Sequence, residues 1–199
     1  NGEGKMKKAI LFIIIAMCIA VPDFVSAQRY LPGMRGIQFT AGTVNGLNVN
    51  AASEDFAFHA GVALSTYTRR TDRWLVGMEY LEKRHIYRGT GIPQAQFTME
   101  AGYYLKLFSD WRKMFFVSLG ASALGGYETI NWNEKLLPDG ATVNNADGFL
   151  YGGALTLEME TYLSDRIILL VNVRERLLGG SSVGNLNTQL GLGLKFIIN

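Results

Sequence analysis

Two histidines, His59 and His85, are the side chains in this chain best suited to general acid–base work at neutral pH. A serine hydrolase needs a serine within hydrogen-bond reach of a histidine that a carboxylate orients. Ser65, Ser122, Ser181 and Ser182 are available, but no local motif links any of them to either histidine. Both histidines therefore read as packing or loop residues. Two histidines with no nearby cysteine also make a poor metal site. The glycines fit strand interiors, and nothing resembles a phosphate-cradling loop. The expectation is a protein with no catalytic centre, no metal and no cofactor.

A second set of residues is more suggestive. Glu79, Lys83, Glu100, Lys106, Glu158, Glu160, Arg174, Arg176 and Lys195 recur with one parity along segments that are otherwise apolar at alternate positions. Such a set could be a proton path, a pore lining or a catalytic cluster, or a network of paired charges filling a narrow interior. Which it is depends on the elements that carry it.

Those elements have a period of two. In QLGLGLKFII (189–198), Leu190, Leu192, Leu194, Phe196 and Ile198 fall on one side of an extended strand, and Gln189, Gly191, Gly193 and Lys195 on the other. Reading for the same period predicts eight strands, at 34–44, 56–68, 73–87, 94–108, 114–130, 147–163, 166–178 and 186–199. No long stretch holds a 3.6 period, and 23 glycines argue against a helical bundle. The connections at 69–72, 109–113 and 164–165 read as tight turns. Those at 45–55, 88–93, 131–146 and 179–185 read as longer polar loops. Strict alternation of short and long puts all the turns at one end, the layout of an outer-membrane barrel.

A soluble barrel buries its apolar face and a membrane barrel exposes it, so the polar face decides. It holds Gly61, Gly77, Gly102, Gly120, Gly152, Gly191 and Gly193, with Ser65, Thr98, Ser118, Ser122 and Thr156. Glycine weakens a strand unless something must approach closely. The interior of an eight-stranded barrel, barely wide enough for its own side chains, imposes that requirement. Trp74, Tyr80, Tyr103, Tyr127, Phe149 and Tyr151 suit interfacial girdles on the apolar face. The predicted fold is an all-β, eight-stranded antiparallel transmembrane barrel with the charges inside. In so narrow a lumen, paired charges are expected rather than an aqueous channel. Glu158 and Glu160 are expected to face Arg174 and Arg176 across the 164–165 turn.

The front of the chain agrees with export. Residues 1–27 read as a short lead-in followed by a cleavable signal peptide. Lys7 and Lys8 precede an apolar run from Ala9 to Ala20, and Val25-Ser26-Ala27 offers small residues for cleavage after Ala27. The run is too short to span ~30 Å of hydrocarbon. Cys18, the single cysteine, lies inside it, so residues 28–199 can form neither a disulfide nor a thiolate metal site. A net charge of +2, without a Lys/Arg run, gives no reason to expect direct nucleic-acid binding. Trp132, Leu136 and Leu137 give the 131–146 loop an apolar element that could touch a partner or pack over the barrel mouth. Phe196 is the candidate signal for the barrel-insertion machinery.

Several blocks carry a family resemblance. QRYLPGMRG (28–36), QFTMEAGYYLK (96–106), FFVSLGASALGGYET (115–129), FLYGGALTLEMETYLSDRIILLVNVRERLLGGSS (149–182) and TQLGLGLKFIIN (188–199) resemble the TraO family of conjugal transfer proteins, encoded in conjugative transposons of gut anaerobes. The resemblance implies a component of the mating apparatus and supplies no catalytic residue. The expected protein is an outer-membrane scaffold. Its partners would be the lipid bilayer and other conjugation proteins, with a homo-oligomer also open. The rival readings are a surface adhesion or defence barrel acting through its loops, a lipid-modifying outer-membrane enzyme, and a soluble exported barrel.

Overall fold

The computed structural model describes residues 32–44, 57–87, 90–133, 147–180 and 186–198. Eight strands make up almost all of it: β1 (Arg35–Val44), β2 (Ala57–Tyr67), β3 (Arg73–Tyr87), β4 (Thr90–Ser109), β5 (Phe115–Ile130), β6 (Asp147–Tyr162), β7 (Ile167–Gly179) and β8 (Leu186–Ile197). Each pairs antiparallel with the next, and β8 returns to β1 with Phe39 opposite Leu194 and Thr40 opposite Gly193. The sheet is thus a closed barrel. The expected signal peptide, with its cleavage after Ala27, and most of the longest loop lie outside the described residues.

Strict alternation of side chains gives the wall its two faces. Phe39, Leu64, Val76, Met78, Met99, Leu155 and Leu192 point outward and are exposed, while Leu75, Leu81, Ser65, Thr156 and Gln189 point inward and are buried. No aqueous surface would present so continuous an apolar band; a hydrocarbon environment requires one, and barrel closure leaves no unpaired strand edge in it. The fold is a transmembrane β-barrel. Outward aromatics couple neighbouring strands: Phe58 with Tyr80 at 5.9 Å, Tyr80 with Phe97 at 5.0 Å, and Tyr127 with Phe149 at 5.5 Å between ring centroids. Towards the turn end, Trp74 meets Tyr103 edge-on at 4.7 Å.

The three turns are tied by their own side chains and backbone. Asp110 Oδ1 accepts the amides of Met114 at 2.7 Å and Phe115 at 2.9 Å, and Ser164 Oγ accepts the Ile167 amide at 3.1 Å. The Thr68 amide donates to the Asp72 carbonyl at 2.7 Å, with Thr71 between them at φ 65. At this end Ile198 N–H donates to the Arg35 carbonyl, so both ends of the barrel sequence meet beside the turns.

One expected long loop is absent. The ladder between β3 and β4 continues through Arg84 opposite Pro93 to Tyr87 opposite Thr90, so the connection is residues 88–89 and not 88–93. Pro93 had suggested a loop because proline cannot donate to a ladder. It is accepted here because pairing of β4 with β5 begins only at Gln94 opposite Ile130. At Pro93 the strand has a neighbour on one side alone.

Candidate functional site

The barrel interior is a column of paired charges, and the residues that build it arrive from six strands. Nearest the turn end are Arg73 (β3), Glu158 and Glu160 (β6) and Lys195 (β8), each 1% exposed or less. Arg73 Nη2 donates to Glu158 Oε1 at 2.5 Å, and its Nη1 lies 3.2 Å from Glu160 Oε1. Lys195 Nζ donates to Glu160 and to the Tyr67 hydroxyl, the latter at 3.0 Å. The Arg73 guanidinium also lies over the Tyr104 ring, 4.5 Å from its centroid. Two cations and two carboxylates make this tier neutral.

The middle tier is neutral as well. Arg174 Nη2 donates to Glu100 Oε2 at 2.7 Å and its Nη1 to Glu79 Oε2 at 3.3 Å, while Arg176 Nη1 donates to Glu79 Oε1 at 2.7 Å. Gln189 Nε2 donates to the same Glu79 oxygen at 2.8 Å. Glu79 thereby receives bonds from three donor residues on two strands, which locks β3 to β7 and β8 through the lumen. Above it, Lys83 Nζ donates to Asn187, and Glu128 Oε2 accepts the amides of Gln94 at 2.7 Å and Gln96 at 2.8 Å.

Apolar plugs flank the column. Phe116, Tyr162, Ile168 and Leu170 close the turn end, and Leu124, Leu150, Ala154 and Leu178 form a second buried cluster. Between them lies a cavity of about 20 Å³ lined by Gln38, His59, Glu79, Asn172, Arg174 and Gln189. That is room for a single water. Desolvated ions are tolerable only when paired, and each tier balances its charges, although Arg176 Nε, Asn187 Nδ2 and both ring nitrogens of His59 are buried without a hydrogen-bond partner among the described residues.

Eight of the nine charges read from parity point into this lumen. Lys106 does not join them, although it keeps the inward parity opposite Ser118. The ladder slips between Lys106 and Phe108, a β-bulge at Leu107, and the Lys106 side chain is exposed at the turn end. With water at hand an ammonium keeps its hydration rather than enter the column. The expected pairing of Glu158 and Glu160 with Arg174 and Arg176 is also corrected. The β6–β7 register sets Glu158 opposite Asn172 and Glu160 opposite Leu170, with Arg174 opposite Thr156 and Arg176 opposite Ala154. The two acids and two arginines sit at different heights, so each finds its partners across the lumen. Arg73 was missed because it adjoins a turn, yet it shares parity with Leu75, Gly77 and Glu79.

His59 is buried beside the ion network, with Nδ1 3.5 Å from Glu79 Oε2. The Ser65 hydroxyl donates to the Gly36 carbonyl at 3.3 Å. Among the described residues no group of three or more His, Cys, Asp and Glu is arranged to hold a metal ion. The side chain of His85, and Ser181 and Ser182, lie outside the described residues. Trp132 sits in a short 3-10 turn (Asn131–Asn133) at φ 52 and is exposed, whereas Leu136 and Leu137 lie outside the described residues. Phe196 points outward and packs edge-on against Phe39 at 6.3 Å.

A family model described as conjugative transposon protein TraO matches residues 31–198. No curated protein matches the chain in sequence. Among solved structures, Neisserial surface protein A is similar with a TM-score of 0.55 and 14% identity, over 82% of this chain and 97% of that one. The attachment invasion locus protein Ail of Yersinia pestis gives a TM-score of 0.46 and 10% identity, over 83% and 100%. The N-terminal β-barrel domain of Pseudomonas aeruginosa OprF gives 0.45 and 12%, over 82% and 99%. At such identities the first of these speaks to the fold.

Proposed function

The chain belongs to the TraO family of conjugative transposon proteins, and from that premise we propose that it is a non-enzymatic outer-membrane scaffold of the DNA-transfer apparatus. The observation that carries this reading is the filled lumen. Among the described residues, a column of neutral charge tiers flanked by buried apolar clusters leaves a lumen cavity of only about 20 Å³, too narrow for a nucleic acid strand. What the barrel presents to other proteins is its two ends. The role is therefore to hold or position transfer proteins at the outer membrane, with turns on the periplasmic side and loops outside.

An in-frame deletion in a donor cell, complemented in trans, tests the proposal. Transfer frequency should fall by orders of magnitude and return with the complementing copy. Unchanged transfer would remove the conjugation role and leave the barrel intact. Trimming residues 134–146 separates a periplasm-facing scaffold from a surface adhesin, since the scaffold should keep its transfer function without that loop.

A further inference from the structure

The turn end of the barrel is strongly basic, and its cations are spread over every connection there. Arg69 and Arg70 lie between β2 and β3, Arg112 and Lys113 between β4 and β5, and Arg166 between β6 and β7, while Arg35 opens β1 beside the end of β8; all are exposed. Lys106 at the bulge adds a further exposed cation. The carboxylates at this end are Asp72, Asp110 and Asp165. Asp72 accepts from the Tyr103 hydroxyl at 3.3 Å and the Lys106 amide at 3.0 Å, and Asp110 is occupied by two backbone amides. Seven cations against three carboxylates leave a formal excess of four positive charges among the described residues of this end. Apolar side chains are interleaved with them. Trp111 is 98% exposed at the tip of its turn, and Leu107, Phe108 and Leu163 are exposed near the strand ends.

We propose that this ring is a binding surface for the phosphate groups of anionic phospholipids in the leaflet at the turn end. Three features select lipid over an acidic protein. A leaflet surrounds a barrel on all sides, and the cations are distributed around its rim on every connection at this end. An indole and aliphatic side chains beside flexible cations match the headgroup layer, where each residue type can keep one end dry and the other wet. The ring also directly adjoins the lipid-facing band, at the Trp74–Tyr103 contact. Surface potential from anionic lipid then holds the cations close, and the hold weakens with salt. The inference rests on the transmembrane fold and is independent of the conjugation reading.

Tryptophan quenching tests it on the full purified chain, folded into phosphatidylcholine vesicles and checked by its heat-modifiable gel shift. A small fraction of the lipid is brominated, either on phosphatidylglycerol or on phosphatidylcholine. The wild type should be quenched at least about threefold more efficiently by the anionic lipid, and 0.5 M salt should remove most of that difference. Arg69→Gln/Arg70→Gln/Arg166→Gln should bring the ratio close to one while the gel shift persists. If the triple variant does not fold, Arg69→Gln/Arg70→Gln should still lower the ratio by a measurable step. Equal quenching of the wild type by both lipids overturns the proposal, as does a preference that survives the triple substitution. Loss of a cross-linked periplasmic protein in the variant, with no lipid preference in the wild type, assigns the ring to protein docking and overturns it equally.

Discussion

Arg73 shows what a single buried charge does in this lumen. It holds Glu158 and Glu160 against Lys195, so deleting it leaves two carboxylates with one ammonium in a space without bulk water. Arg73→Met should lower unfolding stability in urea by roughly 3 kcal/mol, since an uncompensated buried ion is the costly case. Arg73→Met/Glu158→Met restores neutrality and should recover most of that loss; an additive double variant would show that the tier is not coupled. The position was within reach of the sequence: parity alone places Arg73 with Glu79 and Lys83. Its partners were not, because ion pairs across a lumen depend on strand stagger, which no local pattern encodes. Glu158 and Glu160 illustrate this, since their sequence neighbours Arg174 and Arg176 ended a tier higher and bonded β3 and β4 instead.

At the scale of the strand, glycine separates two kinds of position. A Cβ on Gly42 would stand 2.0 Å from the Leu190 carbonyl oxygen and 2.7 Å from His59 Nε2, so β1 approaches β8 there more closely than any side chain permits. On Gly125, outward on β5, a Cβ would meet nothing within 4 Å. Gly42→Ala should cost roughly 3 kcal/mol in a vesicle unfolding titration, by forcing backbone movement in a packed wall. Gly125→Ala should be neutral, or stabilise by up to about 1 kcal/mol through the unfolded chain. Equal effects from the two would mean that the close approach is not a real constraint. Strand positions and facing were legible because a period of two is local and was repeated eight times. The 88–89 connection was not, because it turned on whether Pro93 had a neighbour on one side or both, a property of the sheet. The bulge at Leu107 was hidden for the same reason, and it removed Lys106 from the column.

For the whole molecule, neutrality within each tier makes the interior a plug. Purified barrel in a planar bilayer should pass ions at no more than leak level, and steady single-channel openings from a monomer would refute the filled lumen. Glu79→Ala with Arg176→Ala would be the pair most able to open it, since their bond joins β3 to β7 through the axis. The pairing of β1 with β8 carries a different consequence. Phe39 cannot meet Leu194, nor Thr40 meet Gly193, until the last strand has been made. Every partial product of synthesis therefore leaves at least one row of backbone donors and acceptors with no partner, a state that hydrocarbon does not tolerate. Closure within the bilayer has to wait for β8, and until then the open edge of β1 must be satisfied by something other than hydrocarbon.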